Sequence, residues 1–169
     1  MMRVLAPLAA LALLGPALGG CGLQPIYAGG ANGYVARNLA QIEIAPIPGD
    51  EGWLMRNALS DRLGRGTSDG GTQYRLDVVL DDQLEGLGLL TDDTIGRERR
   101  TLRARYQLVD LSTDTILVDA TAGSDAGIDV VGSEFATIAA EQTALENLTQ
   151  DVADQIVVRL TRSLREQDQ

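Results

Sequence analysis

The longest patterned run in the sequence lies near its C-terminal end, where Ile138, Leu145, Leu148, Val152, Ile156, Leu160 and Leu164 recur at intervals of three, four and seven. This spacing puts them on one stripe of an α-helix and leaves Glu141, Gln142, Glu146 and Gln150 outside it. Ser133 is the N-cap candidate, Glu134 falls in the first turn, and Arg159, Arg162 and Arg165 sit near the C-terminal end, where the helix dipole favours cations. The run predicts one helix of about twenty to thirty residues, and a stripe of that length needs a long apolar surface to cover it.

Period-two runs supply that surface. "YRLDVVLDD" from residue 74 places Tyr74, Leu76, Val78 and Leu80 on one face and Arg75, Asp77 and Asp81 on the other. "TLRARYQLV" at 101–109 turns Leu102, Ala104, Tyr106 and Leu108 inward. After the turn "DLSTD", "TILVDATA" from 115 does the same with Ile116, Val118 and Ala120, so these two runs read as a hairpin. Upstream, "QIEIAPIP" at 41–48 is a short strand carrying Ile42 and Ile44, ended by Pro46 and Pro48. Asp50 then caps a helix with Glu51 in its first turn and Met55, Ala58, Leu59 and Leu63 on one stripe, closed by Gly64 and Gly66. Residues 28–38, 85–96 and 123–132 are glycine-punctuated and read as linker or loop.

The order is β-α-β-β-β-α. Each strand has one apolar face and each helix one apolar stripe, which predicts an α+β two-layer sandwich: two helices packed on one face of a four-stranded mixed sheet. One such domain occupies residues 40–166, followed by a polar tail at 167–169. Aromatic residues make up only 4% of the chain, so its core is built from Leu, Ile, Val and Ala.

Composition narrows the chemistry. All basic residues are arginine, histidine is absent, and the formal charge is -10 with a sequence pI near 4.3, which speaks against generic nucleic-acid binding. Without histidine, Ser60, Ser112 and Ser133 have no imidazole to activate them. Cys21 is the single cysteine, so there is no intrachain disulfide and no Cys/His zinc site. Asp81-Asp82 and Asp92-Asp93 supply carboxylate pairs, but neighbours on a strand point to opposite faces, and the second pair sits in a loop-like stretch. No enzyme, cofactor or metal centre is expected.

The N-terminal end carries a different message. Arg3 followed by the uncharged run Val4 to Leu18 has the layout of a secretory signal over residues 1–20. The alternative is a transmembrane helix, for which the run, broken by Gly15 and Pro16, is shorter than the ~20 apolar residues a bilayer requires. "Leu18-Gly19-Gly20-Cys21" resembles the bacterial lipobox, which implies that Cys21 becomes an S-diacylglycerol, N-acyl cysteine at the start of the mature protein. The other reading is an ordinary signal that leaves a free thiol. Three acyl chains anchor a protein stably, since each buried methylene contributes ~0.8 kcal/mol. Residues 21–39 then form the anchor and linker.

"CGLQPIY" at 21–27 resembles the mature start of the LPS-assembly lipoprotein LptE family of alphaproteobacterial type, which looks like Cys-Gly-Phe-x-Pro-Leu-Tyr; Leu23 and Ile26 are apolar replacements. The family's fold has the same element order. The resemblance implies a non-enzymatic, lipid-anchored outer-membrane protein that plugs an LptD-type β-barrel, helps it assemble and assists delivery of lipopolysaccharide to the outer leaflet. Gly22, rather than an aspartate, agrees with outer-membrane sorting. The alternative function is an accessory periplasmic lipoprotein subunit of an ABC-type transporter.

One charged stretch remains, "RERRTLRAR" at 97–105. If the strand reaches back to 97, Arg97, Arg99, Arg103 and Arg105 share the face opposite Leu102, Ala104 and Tyr106. Guanidinium forks suit phosphates, and the resemblance implies lipopolysaccharide as a ligand. The alternatives are pairing with Asp77, Asp81 and Glu85 on the neighbouring strand, or contact with acidic groups of the partner barrel.

Overall fold

The computed structural model describes residues 34–64, 71–89 and 95–166. The signal, Cys21, Asp92-Asp93, Gly66 and the tail at 167–169 lie outside the described residues. The elements are α1 (Tyr34–Leu39), β1 (Ile42–Ile44), α2 (Asp50–Leu63), β2 (Tyr74–Leu89), β3 (Ile95–Asp110), β4 (Thr115–Asp129) and α3 (Glu134–Glu166). The strands form one sheet in the order β1-β2-β3-β4, with β1 parallel to β2 and the other pairs antiparallel. Both long helices cover one face, giving the expected α+β sandwich of two layers.

The inner face is the even-numbered set the alternation marked. Leu76, Leu102, Ala104 and Leu108 are fully buried, with Tyr74, Val78, Tyr106, Val118 and Ala122 beside them. Against them pack Met55, Ala58, Leu59 and Leu63 of α2 and the α3 stripe from Leu145 to Leu164. α3 runs 33 residues, or about 50 Å at 1.5 Å per residue. A 16-residue strand at about 3.4 Å per residue is of similar length, so the helix spans the whole sheet.

Several boundaries differ from the sequence reading. Part of the 28–38 linker is the helix α1, which buries Leu39 in the core. β2 continues through the glycine-rich stretch to Leu89, and β4 passes Gly123 and Gly127 to Asp129. Low intrinsic β-preference is overridden there because β3 supplies ladder partners on both sides. The helix α2 begins at Asp50 without a side-chain cap; Gly49 takes the N-cap position at φ 86°, ψ 169°, a conformation open essentially only to glycine. Asp50 instead contributes charge to the first turn.

Two residues expected inside are outside. Ile116 is 56% exposed because the β3–β4 register shifts beside it: Leu108 faces Val118 but Val109 faces Ile116, leaving Leu117 as the extra residue of a bulge. Ile138 is 54% exposed, in the first turns of α3, where Phe135 is exposed as well. Among the described residues, no helix is long and apolar enough to cross a membrane.

Candidate functional site

With both helices on one side, the other face of the sheet is uncovered among the described residues. Its side chains are the odd-numbered ones: Glu43 on β1, Arg75, Asp77, Asp81 and Glu85 on β2, the arginine row on β3, and Asp119, Asp125 and Asp129 on β4. The strand does reach back past 97, and Arg97, Arg99, Arg103 and Arg105 all lie exposed on this face. Seven carboxylates stand against five guanidinium groups. The face is therefore striped, acid-base-acid across three strands, and slightly negative overall.

The register places Asp81 opposite Arg103 and Glu85 opposite Arg99. The recorded ion pairs nevertheless run the other way, to β4. Arg97 Nε lies 3.0 Å from Asp129 Oδ1, Arg99 Nε 4.0 Å from Asp125 Oδ2, and Arg105 Nη2 3.1 Å from Asp119 Oδ2. On β2, Asp77 and Asp81 are engaged within their own strand: Arg75 donates to Asp77 at 3.1 Å, and the Gln83 amide donates to both oxygens of Asp81. The hydrogen bond from Arg105, assisted by one of 2.9 Å from Gln107, holds the Asp119 carboxyl below its ordinary pKa, and Asp119 raises that of Arg105. Arg103 alone of the row has no hydrogen-bond or ion-pair partner among the described residues.

Arg103 lies over Gly123, its partner across the β3–β4 ladder. A depression of 310 Å³ opens there, lined by Thr101, Arg103, Thr121, Gly123, Ser124 and Asp125 among others. Beneath, Gly123 donates its N–H to Gln155 Oε1 at 3.4 Å and accepts from Gln155 Nε2 at 3.2 Å, so α3 closes the free edge of β4 at this point.

The sequence reading missed an ion pair on the inner side. Arg100 and Asp82 are only 15% and 18% exposed, joined at 2.9 Å (Nε to Oδ1) and 2.5 Å (Nη2 to Oδ2). Arg100 also donates to the Glu141 carbonyl of α3 at 2.9 Å, tying the sheet to the helix. The hydrogen bond that Arg100 donates to Asp82 raises the Arg100 pKa, desolvation opposes this, and the charges of Asp82, Glu141 and Glu51 add to the rise. The available signal was parity: Asp82 is even with Val78 and Leu80, and Arg100 with Leu102. Asp81 and Asp82 thus face opposite layers. Among the described residues, no group of three His, Cys, Asp or Glu is placed to hold a metal ion.

Fold and face together define a class: a small α+β sandwich with helices on one side and an uncovered, charge-striped sheet on the other. The same fold occurs in a protein described as a lipoprotein of Caulobacter crescentus CB15, with a TM-score of 0.64 at 22% identity over 79% of this chain and 96% of that one. Rare lipoprotein B of Shewanella oneidensis gives 0.54 at 10% identity, covering 76% and 98% of the two chains. A minor lipoprotein of Acinetobacter baumannii gives 0.54 at 17%, covering 72% and 91%. No protein among those with curated descriptions matches in sequence. The chain belongs to the LptE lipopolysaccharide-assembly family, whose sequence pattern matches residues 39–160.

Proposed function

We propose that this protein is a non-enzymatic lipoprotein of the outer membrane, anchored through Cys21 on the periplasmic side, that fills the lumen of an LptD-type β-barrel. In that position it supports assembly of the barrel and passage of lipopolysaccharide to the outer leaflet. The observation that carries this reading is the family match, which spans every element from β1 through most of α3. The physics agrees with it: a sandwich about 50 Å long has the surface to occupy a wide lumen, and a lipidated cysteine followed by a short tether confines it to one leaflet.

The test is purification of the tagged full-length chain from detergent-solubilised membranes, with its partners identified by mass spectrometry. A large β-barrel is the expected partner, and depletion of the protein should lower surface lipopolysaccharide. Recovery of an inner-membrane ATPase complex instead would overturn the proposal in favour of an accessory transporter subunit. Cys21→Ala should abolish incorporation of a labelled fatty acid into the chain.

A further inference from the structure

The geometry points to Arg103 as the anchor by which the open sheet face docks onto a protein partner: a carboxylate on the partner enters the depression over Gly123 and pairs with the Arg103 guanidinium. This rests on the barrel reading for the partner's existence and names the face and chemistry of the contact.

The neighbouring arginines are already engaged. Arg97 pairs with Asp129 directly across the ladder, and Arg99 and Arg105 pair diagonally with Asp125 and Asp119, whereas Arg103 stands opposite Gly123, which has no side chain to offer. On the other side Asp81 is taken by the Gln83 amide. Among the described residues, Arg103 is therefore the one guanidinium of this face without an ion-pair or hydrogen-bond partner, while the other four each pair with an aspartate.

The seat beneath it is built for that arrangement. A Cβ added at Gly123 would lie 3.3 Å from Arg103 Cγ and 3.3 Å from the Leu102 carbonyl oxygen, so a larger residue would displace the arginine stem. Both polar backbone groups of Gly123 are fixed by Gln155. The backbone beneath the arginine stem is thus fixed before a partner arrives.

Charge complementarity selects a carboxylate on a protein surface over a polyanionic lipid. A group with several negative charges would meet repulsion from the acid rows on β2 and β4, and the face as a whole is slightly negative. A single carboxylate matches the one guanidinium of this face that is free among the described residues, while cations elsewhere on the partner meet the flanking acids. A desolvated arginine pair at the centre of an interface is the kind of contact that dominates binding.

The experiment places a photo-crosslinking amino acid at Thr121, beside the seat, in the full-length lipidated chain in the cells that make it, with a second at Gln142 on α3 as a control. The expected result is a crosslink from position 121 to a barrel peptide containing Asp or Glu. Arg103→Glu and Arg103→Gln should each lower that crosslink, the charge reversal by at least tenfold. Gly123→Val should lower it as well, whereas Arg97→Gln changes it less than twofold. Reversing the partner acid to Arg should restore recovery with Arg103→Glu. Unchanged thermal melts would exclude misfolding of the variants. A crosslink from position 121 to lipid, or recovery with Arg103→Glu within twofold of wild type, would overturn the inference. If the barrel crosslinks from 142 but not from 121, the docking face is wrong and the barrel reading stands. If no barrel is recovered from either position, the barrel reading fails and the inference with it.

Discussion

Replacing Asp82 by leucine should destabilise the domain by about 2–3 kcal/mol. Removing one partner of a fully buried ion pair costs about 3–5 kcal/mol, because the other charge is left uncompensated, while exposed pairs contribute about 0–1 kcal/mol. The Arg100 and Asp82 side chains keep 15% and 18% exposure, which places this pair nearer the buried limit. Arg100→Met should cost a similar amount, since it strands Asp82 and also removes the hydrogen bond to the Glu141 carbonyl. The double variant Arg100→Met/Asp82→Leu removes both charges and fills the space with apolar atoms, so it should lie within about 1 kcal/mol of wild type. Urea unfolding followed by circular dichroism reads these differences. With a slope of about 1–3 kcal/mol/M, each single variant should move the midpoint down by roughly 1–2 M, and the double by far less. The reasoning is refuted if Asp82→Leu moves the midpoint by under about 0.3 M, or if the double-mutant cycle gives a coupling below about 0.5 kcal/mol.

Leu160→Ala, at a fully buried position between α3 and the sheet, should cost about 2–5 kcal/mol, whereas Phe135→Ser, at 82% exposure, should stay within about 0.5 kcal/mol; thermal melts of the two separate a core stripe from an uncovered first turn. Asp110, Asp119 and Asp154 have pKa values held below the ordinary carboxylate value by hydrogen bonds, chiefly from Ser112, Arg105 and Arg62 respectively. A depressed folded pKa stabilises above the unfolded value of about 3.9 and loses that contribution as the pH falls. Urea midpoints should therefore drop between about pH 5 and 2, and Asp119→Asn/Asp154→Asn should flatten the drop; an unaltered slope would contradict the assignment. Gln155→Leu leaves the outward backbone groups of Gly123 unpaired on an edge strand, so light scattering should show concentration-dependent association that the native chain lacks.

The layers of this protein were legible in the sequence because side-chain periodicity is local. A residue two places along a strand returns to the same face whatever its neighbours do, so Leu102, Ala104, Tyr106 and Leu108 could be placed inside and Arg103 and Arg105 outside from spacing alone. The helical stripes at Met55 to Leu63 and Leu145 to Leu164 were readable for the same reason. Strand ends were not, because the ladder with β3 extends β2 and β4 through glycines that suggested loops. Nor was the fate of Ile116, which depends on one extra residue at Leu117 relative to a partner strand.

The candidate site divides along the same line. Sequence by itself determined that Arg103 and Arg105 share one face, with Arg97 and Arg99 beside them if the strand reached that far, that Cys21 sits in a lipobox-like setting, and that histidine chemistry is absent. Only the tertiary structure decided which arginines are neutralised. Arg97 meets Asp129 and Arg105 meets Asp119 across 32 and 14 residues of chain, through a register that no local pattern encodes. That same register sets Gly123, with no side chain to offer, opposite Arg103, because pairing between strands is a property of the assembled sheet and charge compensation follows from it.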